Sequence, residues 1–118
     1  MVNQLLENPL FNITLLCGII FILVGFIMFQ FPPKKINVLY GYRTISSMKS
    51  QERWDFAQKF SAKEMMKLGG LLTGCSLLVF VTEFNNSINL IIGLSLLILM
   101  VVILFVRVES AIKRKFRN

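Results

Sequence analysis

Histidine is absent from this 118-residue chain, which removes the side chain most used as a general base near neutral pH and as a metal ligand. Cysteine is scarce. Cys17 and Cys75 each fall inside an apolar run, where a free thiol acts as a small buried apolar group rather than a disulfide partner. Of six acidic residues, only Glu52, Asp55 and Glu64 lie in the middle of the chain. No nucleophile–base pair, metal-ligand spacing, phosphate-binding glycine loop or internal repeat is present, so neither catalysis nor a cofactor is expected. The segment before the first apolar run also lacks the basic residues of a signal peptide, and no small-residue cleavage site follows that run.

Charge is missing altogether from two long stretches, Leu10 to Phe31 and Ile88 to Val106, and from a shorter one, Leu68 to Thr82. Hydrophobic residues make up 55% of the chain and its mean hydropathy is +0.68, too apolar for an ordinary soluble domain. Twenty-two residues from Leu10 to Phe31 make a helix of ~33 Å, enough to cross a hydrocarbon core. Pro32 and Pro33 end it, since proline lacks the backbone donor needed to continue. The nineteen residues from Ile88 to Val106 form a second such span. Leu68–Thr82 gives only ~22 Å, but Lys67 and Glu83 at its ends can each reach water by snorkelling.

What is plentiful is positive charge, and it is confined. All thirteen Lys and Arg residues lie between Lys34 and Lys67 or between Arg107 and Arg117. Cytoplasmic segments retain such residues, so both basic stretches belong on one side, with two spans between them turning at Asn85-Asn86-Ser87. The expected fold is a single all-α integral membrane domain, residues 1–118. It has three transmembrane helices (10–31, 68–82 and 88–106), a long cytoplasmic loop (32–67) containing an interfacial helix, and a cytoplasmic tail (107–118). The N-terminus lies outside and the C-terminus inside. The net charge of +7 then meets anionic lipid headgroups, and nucleic acid is not an expected partner. Gly70 and Gly74 form a Gly-x-x-x-Gly pair suited to close helix packing, against the other spans or in a homodimer. Gly18 and Gly25, a heptad apart, are suited to the complementary face.

The loop is too long and too rich in aromatic and polar residues to be a simple linker. Its second half is expected to be helical. Ser50 supplies an N-cap, Glu52 and Asp55 suit the positive end of the dipole, and Trp54, Ala57, Ser61, Met65 and Leu68 share one face. Phe56 and Phe60 lie on another side with Lys59, Lys63 and Lys67. In the first half, Gly41 between Tyr40 and Tyr42 marks a tight turn. Arg43 beside it is placed to meet a lipid phosphate, a carboxylate such as Asp55, or a ligand anion. Tyr40, Tyr42 and Trp54 also suit an interfacial aromatic belt.

The order Pro32-Pro33, Ile36-Asn37, Tyr40-Gly41-Tyr42-Arg43-Thr44, Ser47-Met48, then Trp54, Ala57 and Gln58 resembles the SdpI/YfhL family of bacterial membrane proteins. That resemblance implies a cytoplasmic-membrane location and immunity to a secreted, membrane-active antibacterial peptide, with capture of a cytosolic regulatory protein as a further role. The candidate binding residues are Asn37, Tyr40, Gly41, Tyr42, Arg43, Thr44, Trp54 and Gln58. Two other readings stay open. One is a membrane adaptor or signalling protein with no toxin ligand. The other is a small oligomeric transporter subunit, disfavoured because no charged residue lies inside a span.

Overall fold

The computed structural model describes residues 2–116 and, among them, is all-helical. A short helix α1 (Val2–Glu7) precedes α2 (Pro9–Gln30), α3 (Gln51–Cys75) and α4 (Asn86–Lys115), and a 3-10 turn, Ser76–Phe80, extends α3. Each long helix begins on a side-chain cap. Asn8 accepts from the Leu10 amide at 2.9 Å, with Pro9 in the first turn; Ser50 accepts from Arg53 at 3.1 Å; Asn85 accepts from Ile88 at 2.9 Å. These bonds satisfy backbone donors that a helix start otherwise leaves free.

Pro9–Gln30 and Asn86–Lys115 are long and apolar enough to cross a membrane, yet only 22% of each apolar window is buried inside the protein. A core helix of a soluble protein would show the reverse, so these outward apolar faces fit a hydrocarbon environment. The long axis of the molecule is 51 Å, well beyond the ~30 Å hydrocarbon thickness, which leaves material for the interface and beyond. The loop helix does not stop before the second apolar run: α3 continues without a break from Gln51 to Cys75. Its apolar part, with the 3-10 turn, covers residues 68–80, roughly 22 Å at the rises of the two helix types. The helix of the third apolar run is longer than its hydrophobic part, continuing through Arg107 to Lys115.

The tightest packing is between α2 and α3, and glycine makes it possible. A side chain at Gly18 would meet Thr73 and the Gly69 carbonyl, one at Gly69 would meet the Gly18 carbonyl and Phe21, and one at Gly25 would meet the Ala62 carbonyl and Met65. In lipid, where apolar groups gain nothing by leaving solvent, such close backbone approach supplies dispersion contacts instead. The intramolecular contact therefore falls on Gly69, and Gly70 and Gly74 do not share in it: nothing lies within 4 Å of the space a Cβ would take at either. The reason is angular. Successive residues differ by about 100° around a helix, so with Gly69 facing α2, Gly70 and Gly74 line an outward groove with Leu71 and Leu77.

Candidate functional site

Two prolines end α2, and the loop beyond them forms an ordered cap over the end of the bundle where α2 finishes. Asn37 builds its first turn, accepting from the Leu39 and Tyr40 amides at 2.9 and 2.7 Å while donating to the Lys35 carbonyl at 2.9 Å. Asparagine suits such a local turn because its short amide mimics backbone. The Tyr40 hydroxyl donates to the Phe31 carbonyl at 2.7 Å, satisfying an acceptor that the end of α2 leaves open.

Gly41 has φ +110°, a conformation that side-chain-bearing residues rarely adopt. A Cβ there would also lie 2.5 Å from Gln58 Oε1 and 2.7 Å from Pro33 Cγ. That close approach lets the Gln58 side chain pair with both backbone groups of Tyr42: it accepts from the Tyr42 amide and donates to the Tyr42 carbonyl, each at 2.7 Å. Gln58 is buried, so one side chain replaces the partners that a strand would have given this irregular backbone. Trp54, one turn earlier on α3 and fully buried, donates from Nε1 to the Pro33 carbonyl at 2.7 Å.

Ser47 closes the turn. Its hydroxyl accepts from the Thr44 amide at 2.9 Å and faces the carbonyls of Thr44 and Tyr42 at 3.0 and 3.3 Å, while Thr44 Oγ1 accepts from the Ser47 amide at 3.1 Å. Thr44 also donates to Glu109 on α4 at 3.3 Å. The Tyr42 ring is buried against Phe105, centroids 5.6 Å apart. Burial, helped by the Glu109 charge, pushes its phenol well above the ordinary tyrosine range, so it stays protonated. The geometry toward Glu109 falls short of a hydrogen bond, and the hydroxyl has no partner among the described residues.

The structure thus joins Asn37, Tyr40, Gly41, Tyr42, Thr44, Trp54 and Gln58 into one hydrogen-bonded cap. Trp54 and Tyr42 are core residues of that cap, not members of an interfacial belt, because their rings fill the space between the loop and the helices. Arg43 is different. It is exposed and forms no ion pair among the described residues; Asp55 instead accepts from Gln51 at 2.8 Å.

A second polar device was not visible as a pair. Glu64 on α3 is buried, and Arg107 on α4 grips it with two bonds, Nε to Oε2 at 2.7 Å and Nη2 to Oε1 at 3.2 Å. Lys67 adds a longer contact of 3.7 Å. Glu64 lies three residues after Ser61 and four before Leu68, on the buried face, so its inward position follows from helical spacing; its partner is 43 residues away. Elsewhere on α3, Phe56 stacks on Phe60 and meets Phe116 edge-on, and Lys115 Nζ lies 4.6 Å above the Phe56 ring. With Glu52, Asp55, Lys59 and Lys63 these line an open cleft of about 580 Å³. Among the described residues no group of His, Cys, Asp or Glu could hold a metal ion.

Comparison with known proteins bears directly on this cap. The model of the SdpI/YfhL protein family matches residues 34–106, from the start of the loop to the last residue before Arg107. The chain belongs to the SdpI/YfhL protein family. It is similar to the uncharacterized protein YfhL of Bacillus subtilis (strain 168), with 38% identity over 96 residues, covering 81% of this chain and 82% of that protein. No solved structure matches it. Every residue of the hydrogen-bonded cap from Asn37 to Gln58 falls within the family match.

Proposed function

We propose that this SdpI/YfhL-family protein is a three-span protein of the bacterial cytoplasmic membrane that gives immunity to a membrane-active antibacterial peptide. The observation that carries this reading is family membership across the segment that forms the cap and the helices it locks together. In the proposed topology the N-terminus is outside, and the cap, the polar half of α3 and the end of α4 lie on the cytoplasmic side, where their Lys and Arg residues favour retention. Little chain then lies on the outer side of the membrane, so the toxin is met largely within the bilayer. Arg43 is the exposed charged residue of an otherwise hydrogen-bonded turn and is the residue on which the role is expected to depend most. Expression in a peptide-sensitive strain tests the role. Protection is expected from the wild type and from Lys34→Ala and Lys113→Ala, with loss in Arg43→Ala at equal membrane abundance. Unchanged killing with the wild type overturns the immunity role, and equal protection by all three variants overturns the role of Arg43.

The cleft on the polar half of α3 favours a second reading, an adaptor that recruits a cytosolic protein. Its stacked phenylalanines and lysines lie beyond the apolar spans and offer the mixed aromatic and charged surface that protein partners use. A photoreactive residue at Lys59, which lines that cleft, is expected to capture one specific protein in intact cells. Capture of lipid alone overturns the adaptor reading.

A further inference from the structure

Under the tyrosine turn, opposite in kind to the polar cleft on α3, lies a second cleft of about 420 Å³. Its walls are Val24 and Met28 of α2, Met65 of α3 and Phe105 of α4, and its rim is Leu39 to Arg43. At the other end of the bundle α4 lies directly on α2, since a side chain at Gly93 would meet Ile13 and Leu10. At the inner end the loop residue Tyr42 packs against Phe105, and the cleft opens beside it.

We propose that this cleft is a site for an anionic phospholipid of the inner leaflet, with one acyl chain against Val24, Met28, Met65 and Phe105 and the headgroup phosphate on Arg43. Three observations converge on that occupant. The first is depth. Val24 and Met28 lie in the last two turns of α2, which ends at Gln30, and Phe105 lies two residues before Arg107. The cleft therefore sits where hydrocarbon gives way to headgroups. The second is the rim. Leu39 on the rim is 91% exposed, and Val38 and Ile45, which flank the rim in the chain without lining the cleft, are 70% and 86% exposed; such apolar tips on an ordered polar turn are stable when they dip into the acyl boundary. The third is charge. Arg43 is exposed at the mouth of an apolar cleft with no carboxylate partner among the described residues, and its planar fork matches phosphate oxygens. Size argues against a peptide. The cleft holds about one turn of a helix of ~10 Å diameter, whereas a flexible acyl chain can seat part of its length there and leave the rest in the bilayer. This inference rests on the membrane location and not on the immunity role.

The test uses the purified full-length chain in detergent, with native mass spectrometry after addition of dioleoylphosphatidylglycerol or dioleoylphosphatidylcholine. One phosphatidylglycerol is expected to be retained in preference to phosphatidylcholine. Arg43→Gln is expected to weaken it roughly tenfold, the scale of one lost charge-assisted hydrogen bond, while Lys35→Gln, an exposed loop charge outside the cleft, leaves it unchanged. Equal loss in both variants reduces the effect to general surface charge and overturns the site, as does equal retention of the two lipids. Displacement by glycerol phosphate at matched concentration assigns the anion contact to free phosphate and overturns the lipid. Val24→Trp fills the cleft without touching Arg43 and serves if Arg43→Gln does not fold; retention of phosphatidylglycerol by that variant overturns the proposal.

Discussion

Gly18→Val is expected to lower the thermal midpoint of the purified protein sharply, while Gly70→Val leaves it nearly unchanged. Both place a β-branched residue at a glycine in an apolar helix, so helix propensity and hydrophobicity change alike. What differs is the neighbour. A Cβ at Gly18 would lie 2.7 Å from the Thr73 amide nitrogen and 2.8 Å from the Gly69 carbonyl oxygen, with Thr73 Oγ1 closer still. Two of those three atoms are backbone and cannot rotate aside, so α2 and α3 must separate. Overpacking costs about 1–3 kcal/mol where side chains can adjust, and a rigid backbone contact belongs at the upper end or above. At Gly70 no atom lies within 4 Å, and the added methyls enter open space. Unfolding followed in one detergent for both variants checks this; equal midpoints would show that the Gly18–Gly69 contact does not hold the bundle. The same pair separates fold from assembly. If the outward groove at Gly70 and Gly74 seats a second copy, Gly70→Val changes the oligomer size and spares the monomer fold.

The extents of the apolar runs, Ser50 as a helix start, and the shared face Trp54–Ala57–Ser61–Met65–Leu68, buried except at half-buried Met65, are legible because each follows from local chemistry: charge-free length, a capping side chain, a 3.6-residue period. Gly70 and Gly74 share a face, and within the chain that face turns away from α2. Spacing alone says that two glycines share a face, not which way the face points, and here the inward direction belongs to Gly69. The candidate residues of the tyrosine turn were found by type and order, but their roles were not. Trp54 and Tyr42 have the composition of interfacial residues, and only the fold of the loop back onto α3 buries them. Glu64–Arg107 and Thr44–Glu109 join positions 43 and 65 residues apart, and no local pattern encodes which side chain meets which. The two pairs have a common consequence. Each ties α4 to an element that precedes it, the first through α3 and the second through the cap, so the capped end of the bundle is fastened by polar bonds while the opposite end relies on close packing at Gly93.

That division makes Gln58 the residue on which the cap most depends. Gln58→Ala is expected to open the tyrosine turn without dispersing the helices. In the wild type the side chain serves both the amide and the carbonyl of Tyr42. After truncation the carbonyl keeps a longer bond from Ser47 at 3.3 Å, but the amide has no other acceptor among the described residues, and a buried donor left unpaired costs about 1–3 kcal/mol. The loop can relieve that cost only by turning the amide to water, which pulls Gly41 out of its positive-φ turn and lifts Arg43 with it. Trypsin reads this directly, because local opening controls cleavage when reclosing is fast. Cleavage after Arg43 is expected to accelerate roughly tenfold or more, the factor that corresponds to the lost bond. Gln58→Glu separates the two bonds. It retains an acceptor for the amide but turns a carboxylate oxygen toward the Tyr42 carbonyl, so it accelerates cleavage as well, even though its volume matches glutamine. Gln51→Ala is the control on the same helix: Gln51 is exposed and bonds the Lys34 carbonyl at 2.6 Å, where water replaces it. An unchanged cleavage rate in both Gln58 variants would show that the turn is held by Ser47 and Tyr40 instead, and would move the centre of the cap from α3 to the loop itself.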